Sequence, residues 1–141
     1  MRTMAINILA ILILLIASPV WSGSYQYLTP SDVKQKITDQ KPLFLVDIQI
    51  EEEFSRHHLI GALNTYAYPV KSDADRKKLN SILSQVLPSV DPVVIVCPRG
   101  GGGAKRAYDY LLSQGVANER LFILEKGQGG WPYPELLEKT M

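Results

Sequence analysis

The apolar residues of the chain fall into two kinds of pattern. Three short runs are apolar at nearly every position: 42–47 (PLFLVD), 91–97 (DPVVIVC) and 120–124 (RLFIL). Such runs predict strands that are buried on both faces of a sheet. Apolar residues recur at helical spacing in 73–87 and in 104–115, which predicts amphipathic helices. Since strands and helices alternate, the sequence predicts an α/β domain with a mostly parallel central sheet.

Local signals add the ends of some elements. Thr29 is a good N-cap, Pro30 fits a first turn, and Asp32 follows the cap by three residues, so a helix is predicted to begin here. Gly115 is a typical stop for the helix that precedes it. The remaining segments are less regular. A short helical turn is predicted over 51–58, a short strand with a loop over 61–70, and a loop with a last helix over 125–140.

The N-terminal segment has the pattern of a secretory signal peptide. Arg2 precedes an apolar run over 5–20, and small residues follow it. Cleavage is expected after Ser22, which divides the chain into a leader, 1–22, and one domain, 23–141. The alternative is an uncleaved anchor, although the apolar run is shorter than the ~18 residues of a spanning helix. The expected location is periplasmic or secreted, with membrane contact only if the leader is uncleaved.

Charge and cysteine content narrow the function. Of the 15 Lys and Arg residues, Arg2 lies in the leader, and the other 14 balance 14 Asp and Glu residues. No basic cluster alternates with aromatic residues, so a nucleic-acid partner is not expected. Exported proteins usually pair their cysteines in disulfides, but Cys97 is the only cysteine. An unpaired cysteine of this kind is either an intermolecular link or a reactive group.

Cys97 ends a predicted strand and opens a glycine-rich loop. Four glycines, 100–103, separate it from the helix that follows. Glycines permit positive φ angles and allow successive N–H groups to turn inward around an anion. The positive end of the helix dipole lies at the same place and favours a thiolate. The loop is therefore interpreted as a cradle for a sulfur anion, or for the anion with which it reacts.

Other glycine motifs fit this loop less well. A Walker A loop requires a different glycine spacing and a hydroxyl residue after its lysine. A dinucleotide fingerprint requires a third glycine where Lys105 stands. A flexible linker beside a buried structural cysteine remains the alternative.

Three segments resemble single-domain rhodaneses, a family of sulfurtransferases. They are FLVDIQIEEEFSRHHLIGALN, VVIVCPRGGGGAKRAYDYLLSQGV and LFILEKGQGGWP, which correspond in order to the opening signature, the active-site strand, loop and helix, and the closing region. The resemblance spans about 27–137. It implies a three-layer fold in which a mostly parallel sheet of about five strands is flanked by helices.

The resemblance also implies a chemistry. Cys97 would take a sulfur atom from a donor such as thiosulfate, become a persulfide, and pass the sulfur to cyanide or a thiol. A protein thiol is a further possible acceptor, and no cofactor is implied. Backbone N–H groups would hold the persulfide, although Pro98 has none to donate. The donors would be those of Arg99, Gly100, Gly101, Gly102 and Gly103.

Two departures from the family pattern bear on the site. Many rhodaneses carry arginine and then Ser or Thr where this chain has Gly102 and Gly103. A positive charge that attracts a dianionic donor must then come from Arg99, Lys105 or Arg106. This departure weakens the expectation that thiosulfate is the preferred donor.

The second departure concerns Asp47, which ends a predicted strand. Ile48 and Gln49 follow it where the family has an arginine. Asp47 would brace the Cys97 loop, or its carboxylate would simply accept hydrogen bonds from nearby backbone N–H groups. We favour the second interpretation.

The two histidines, His57 and His58, do not predict a metal site. They are adjacent, and the chain has no further histidine, whereas zinc needs three or four ligands.

Two other functions remain as alternatives to an exported sulfurtransferase. Cysteine phosphatases and arsenate-type reductases need an arginine six residues after the cysteine to grip an oxyanion, and that position is Gly103. A non-catalytic sulfur carrier or partner-binding module of the same fold is the stronger alternative. The missing loop arginine keeps it open, because the charge that positions a dianion is weakened.

Overall fold

The apolar runs predicted as strands form the centre of a parallel sheet in the computed structural model, which describes residues 24–140. The strands are β1 (Tyr27–Leu28), β2 (Phe44–Asp47), β3 (His58–Leu59), β4 (Leu63–Asn64), β5 (Val93–Val96), β6 (Leu121–Leu124) and β7 (Leu137–Glu138). Five of them form one sheet in the order β1-β6-β5-β2-β4, and every neighbouring pair is parallel. The predicted fold class is confirmed.

Within the described residues, five α-helices accompany the strands. They are α1 (Pro30–Thr38), α2 (Glu51–Arg56), α3 (Asp73–Lys78), α4 (Leu83–Val86) and α5 (Gly102–Ser113). Within residues 24–140, no helix is long and apolar enough to cross a membrane. The predicted leader, 1–22, lies outside the described residues.

The central strand β5 has a core on each side. All four of its residues are buried, and they alternate between two apolar clusters. Val93 and Ile95 belong to the cluster that includes the buried face of α5, and Val94 and Val96 to the cluster that includes Val33 of α1. The sheet therefore lies between two helical layers, as the apolar runs require.

Local signals act where they were predicted. Thr29 caps α1: its side chain accepts the N–H of Asp32, whose carboxylate accepts the N–H of Thr29 in return. Gly115 follows the C-terminal cap of α5 with a φ of +100°, a conformation that glycine adopts without strain.

Two predicted helices differ in the structure. The segment 73–87 is not continuous: α3 is followed by a 3-10 turn, Leu79–Ile82, and then by α4. Its apolar spacing is still used, because Leu79, Ile82 and Val86 are all buried.

The predicted last helix is wrong. After a short 3-10 turn, Pro134–Leu136, the chain forms β7, which pairs antiparallel with β3. Pro132 and Pro134 lack backbone donors and leave few residues in which a helix could form. The pairing supplies backbone partners instead, and it continues in the bond from the N–H of Ile60 to the carbonyl of Leu136.

Candidate active site

The Cys97 loop lies at the carboxyl end of the central strand, directly between β5 and α5. Cys97 is buried, with 2% of its surface exposed. Its Sγ accepts a hydrogen bond from the backbone N–H of Gly100 at 2.7 Å. One backbone amide therefore already points at the sulfur, in the way that the glycine cradle predicts.

Glycine is required at position 100 for two reasons. Its φ is +72°, a left-handed conformation that favours glycine. An added Cβ would lie only 2.9 Å from the backbone nitrogen of Lys126 and 3.1 Å from the carbonyl oxygen of Leu124. The turn that brings the N–H of Gly100 to the sulfur thus depends on a residue without a side chain.

A second loop, 126–130, braces the first. The N–H of Gln128 donates to the carbonyl of Cys97 at 2.7 Å, and the N–H of Gly129 donates to the carbonyl of Pro98 at 2.9 Å. Gly127 has a φ of +59°, and an added Cβ would lie 2.1 Å from the Cys97 carbonyl oxygen. These contacts fix the start of the Cys97 loop. No sequence pattern predicted these contacts, although Gly127, Gly129 and Gly130 lie close together in the sequence.

The four glycines have different surroundings. Gly101 is the exposed N-cap residue of α5, and an added Cβ there would meet no atom within 4 Å. Gly102 is exposed, but an added Cβ would lie 2.9 Å from Nη1 of Arg106. Gly103 is buried, and its added Cβ would lie 3.0 Å from the Tyr68 ring. Side chains at 102 and 103 would therefore compete with neighbours that already fill the space.

The three candidate cations lie in different environments. Arg99 is exposed and makes no hydrogen bond or ion pair with any residue in 24–140. Lys105 is exposed, with its Nζ 5.6 Å from the centre of the Tyr25 ring. Arg106 is half-buried and donates from Nε and Nη2 to the carbonyl oxygen of Pro69 at 3.0 and 2.9 Å. Of the three, only Arg106 is held in place by directional bonds.

Asp47 is fully buried, and its immediate partner is Gln49. Its carboxylate accepts the backbone N–H of Gln49 at 2.8 Å and the side-chain Nε2 at 3.0 Å. Burial raises the pKa of Asp47 to about 6, and the hydrogen bonds from Gln49 oppose this shift. The carboxylate has no bond to the Cys97 loop within the described part of the chain. Gln49 thus satisfies the acid where the family has an arginine.

The two histidines lie apart from the sulfur chemistry. His57 is exposed, whereas His58 is buried, with Nδ1 2.7 Å from the carbonyl oxygen of Phe54 and its ring stacked on the Phe54 ring. The Nε2 atom of His58 lies 3.5 Å from a carboxylate oxygen of Glu138. No group of three or more His, Cys, Asp or Glu residues in 24–140 could hold a metal ion.

The loop 65–70 lies against the start of α5, a position that no sequence pattern predicted. The N–H of Tyr68 donates to the carbonyl of Ile48, and the Tyr68 ring lies against Gly103 at the start of α5. The Tyr68 side chain is also 39% exposed, and it lines a surface cavity of about 390 Å³ together with Tyr66 and Ile50. Two tyrosines beside a proline were the only sequence signal.

Comparison with known proteins identifies the family of the chain. The model of the rhodanese-like domain matches residues 29–132. Because this match covers more than half of the chain, the chain belongs to the rhodanese-like domain family. A search of curated proteins found no match.

Solved structures share the fold. A Saccharomyces cerevisiae protein described as a homolog of single-domain rhodanese and of the Cdc25 phosphatase catalytic domain has a TM-score of 0.67 and 16% identity, over 85% of this chain and 93% of that chain. A rhodanese-like domain protein from Staphylococcus aureus has a TM-score of 0.61 and 26% identity, over 82% and 99%. A thiosulfate sulfurtransferase from Pseudomonas aeruginosa has a TM-score of 0.62 and 18% identity, over 83% of this chain and 20% of that chain. At 16% and 18% identity, the first and third show the fold alone.

Proposed function

We propose that the protein is an exported sulfurtransferase that moves sulfane sulfur through a persulfide on Cys97. One observation carries this proposal: the only thiol of the chain lies at the carboxyl end of the central strand, and a backbone N–H of the following loop donates to its sulfur. Ligands of open α/β sheets bind at this end of the strands. Membership of the rhodanese-like family supports the same chemistry.

The proposed reaction has two steps that balance. The Cys97 thiolate attacks the outer sulfur of thiosulfate, a new S–S bond forms, and the old S–S bond breaks as sulfite leaves with the electron pair. Cyanide or a thiolate then attacks the outer sulfur of the persulfide and carries it away, which restores the Cys97 thiolate. Neither step needs a redox partner, because sulfite in the first step and the Cys97 thiolate in the second leave with the electron pair of the broken S–S bond.

Each part of the loop has a role in this scheme. The N–H groups of residues 99–103 stabilise the negative charge of the persulfide, beginning with that of Gly100. Arg99, Lys105 and Arg106 place positive charge near the helix end, which attracts an anionic donor. The bonds from the loop 126–130 keep the cradle preorganised, so that it need not reorganise during transfer.

A sulfur carrier is the second candidate, and the burial of the thiol favours it. Only 2% of Cys97 is exposed, so a small donor has little access to the sulfur in this conformation. A carrier would accept one sulfur atom and release it only to a partner that opens the site. Turnover with small donors and acceptors separates the two functions.

Steady-state thiosulfate:cyanide transfer by the purified domain tests the proposal, with Cys97→Ser as the matched variant. We expect thiocyanate from the wild-type protein and none above background from the serine protein, because a hydroxyl cannot form a persulfide. Both proteins should give the same circular dichroism spectrum. Thiocyanate production by the serine variant would reject Cys97 as the nucleophile, and stoichiometric loading without turnover would indicate the carrier.

Export is the remaining part of the proposal and rests on the leader sequence. In a Gram-negative host, the full chain should yield a periplasmic protein whose N-terminus is Gly23. Recovery of the uncleaved chain from the membrane fraction alone would indicate an anchor instead.

A further inference from the structure

The side chain of Arg106 occupies the space in which a side chain at position 102 would lie. Arg106 is one helical turn after Gly102 on α5. An added Cβ at Gly102 would lie 2.9 Å from Nη1 of Arg106, with Cζ and Nη2 each at 3.5 Å. The guanidinium of Arg106 thus fills the space beside Gly102, the fifth residue after Cys97, where many rhodaneses carry an arginine of their own.

The loop 65–70 anchors this guanidinium. Nε and Nη2 both donate to the carbonyl oxygen of Pro69, at 3.0 and 2.9 Å. The loop is itself held against the sheet, because Thr65 donates to the carbonyl of Asp47 and Tyr68 donates to that of Ile48. Val70, next to the anchor, has a φ of +60°, which a β-branched residue rarely adopts. The N–H of Val70 donates to the carbonyl of Ala67 within the loop, and the bonds from Arg106 hold the same turn from outside.

The donors that remain on Arg106 are available to a ligand. Nη1 makes no hydrogen bond to any residue in 24–140, and it is the atom nearest to the added Cβ of Gly102. Arg106 and Asp109 both line a surface cavity beside α5, but the Asp109 carboxylate accepts the Tyr25 hydroxyl at 3.0 Å and forms no ion pair with Arg106. Arg76 also lines this cavity and pairs with Asp73 on its own helix at 3.0 Å. The charge of Arg106 is therefore fixed in position and not cancelled by a contacting acid.

We propose that Arg106 supplies the positive charge that a side chain at position 102 would otherwise supply, and that it selects a dianionic sulfur donor over a singly charged one. This inference rests on the proposed sulfurtransferase function and names the group that recognises the donor. Gly102 then leaves room for Arg106, because any side chain at position 102 would displace the guanidinium from the start of α5.

Steady-state kinetics with two donors tests the proposal. Thiosulfate carries two negative charges and an aryl thiosulfonate carries one, and both leave their sulfane sulfur on the thiolate when the sulfite or sulfinate departs. We expect Arg106→Gln to raise the KM for thiosulfate about tenfold with kcat nearly unchanged, and to raise the KM for the thiosulfonate much less. Arg106→Lys keeps the charge but not the two bonds to Pro69, so it should recover part of the loss. Arg76→Gln removes an equal charge from the same cavity and should change either KM less than about twofold.

Substitution of Gly102 provides a second kinetic test of the same proposal. Gly102→Arg alone should not lower the KM for thiosulfate, because the two guanidinium groups compete for one space. In the Arg106→Gln background the same substitution should lower the raised KM again. Equal losses with both donors in Arg106→Gln would assign Arg106 a structural role only and overturn the inference, as would a KM within about twofold of the wild-type value.

A measurement of thiosulfate binding tests this inference independently of the proposed catalytic function. Titration calorimetry of thiosulfate with Cys97→Ser, with and without Arg106→Gln, requires no turnover. Binding that weakens about tenfold with Arg106→Gln supports the inference even if the wild-type protein proves inactive, a result that would contradict only the proposed function. Binding that does not depend on Arg106 overturns the inference.

Discussion

Two neighbouring strands, β2 and β5, end side by side at the candidate site, and different kinds of hydrogen bond hold their carboxyl ends. β2 and β5 are paired in parallel, with Asp47 opposite Val96, the residue before Cys97. Asp47 and Cys97 are both buried. Side-chain hydrogen bonds from Gln49 and Thr65 close the end of β2, whereas backbone bonds from the loop 126–130 hold the end of β5.

The difference indicates which buried group is available for chemistry. The carboxylate of Asp47 receives two bonds from Gln49, so its polar atoms are committed to structure. The sulfur of Cys97 receives one bond, from Gly100, while the bracing bonds go to the carbonyl groups of Cys97 and Pro98. A loop held through its backbone keeps its shape without occupying the sulfur, which is what the proposed preorganised site requires.

The largest expected effect follows from breaking the brace at the β5 end. Gly127→Ala would place a Cβ 2.1 Å from the Cys97 carbonyl oxygen, so the two loops would have to separate. We expect a loss of more than about 4 kcal/mol in the free energy of unfolding, together with loss of sulfur transfer. Denaturant unfolding and transfer assays measure both.

Gly61→Ala is the matched control for this prediction. Gly61 also has a positive φ, +76°, but an added Cβ would meet no atom within 4 Å. It should therefore cost only the strain of the left-handed conformation, about 1–2 kcal/mol. Similar losses in the two variants would show that φ, and not the contact between the loops, determines the effect.

Asp47, at the end of β2, should make the stability of the protein depend on pH. Burial raises the pKa of Asp47 from 3.8 to about 6, so the folded protein holds a proton that the unfolded chain releases between these values. The free energy of unfolding should therefore fall as pH rises, by about 3 kcal/mol from Asp47 between pH ~3 and pH ~7. Urea unfolding across this range, with Asp47→Asn as the reference that cannot titrate, isolates the contribution. Parallel pH profiles for the two proteins would contradict it.

The smallest effect is expected from a single hydroxyl at the β2 end. Thr65 Oγ1 donates to the carbonyl of Asp47 at 2.9 Å, and the Thr65 backbone N–H donates to the same oxygen. Thr65→Val removes this first bond and also the bond that Oγ1 accepts from the N–H of Ala67 at 3.4 Å, at nearly equal volume, and should cost about 1–2 kcal/mol of stability. Sulfur transfer should remain unchanged, and a marked fall in kcat would show that the two strand ends are coupled.

Sequence patterns predict what is local or strongly apolar. The all-apolar runs identify β2, β5 and β6, Thr29 and Asp32 mark the start of α1, and the unpaired Cys97 before a glycine run marks the site. These signals lie within a few residues of the feature that they predict.

The features that sequence patterns missed depend on distant parts of the chain. β7 exists because it pairs with β3, and two prolines disfavour the last helix that was predicted there. The bond from Arg106 to Pro69 joins residues 37 positions apart, and the brace on Cys97 comes from Gln128. Propensity and periodicity contain no information about such partners, because tertiary contacts decide them.

The central claim is that Cys97 carries the transferred sulfur. Intact-mass spectrometry of the purified domain after incubation with thiosulfate tests it most directly, with digestion to locate the modification. The account predicts a mass increase of one sulfur atom on the peptide that contains Cys97, its removal by cyanide with release of thiocyanate, and no increase in Cys97→Ser. An unchanged mass after thiosulfate, or a sulfur atom that remains when cyanide is added, would contradict the account.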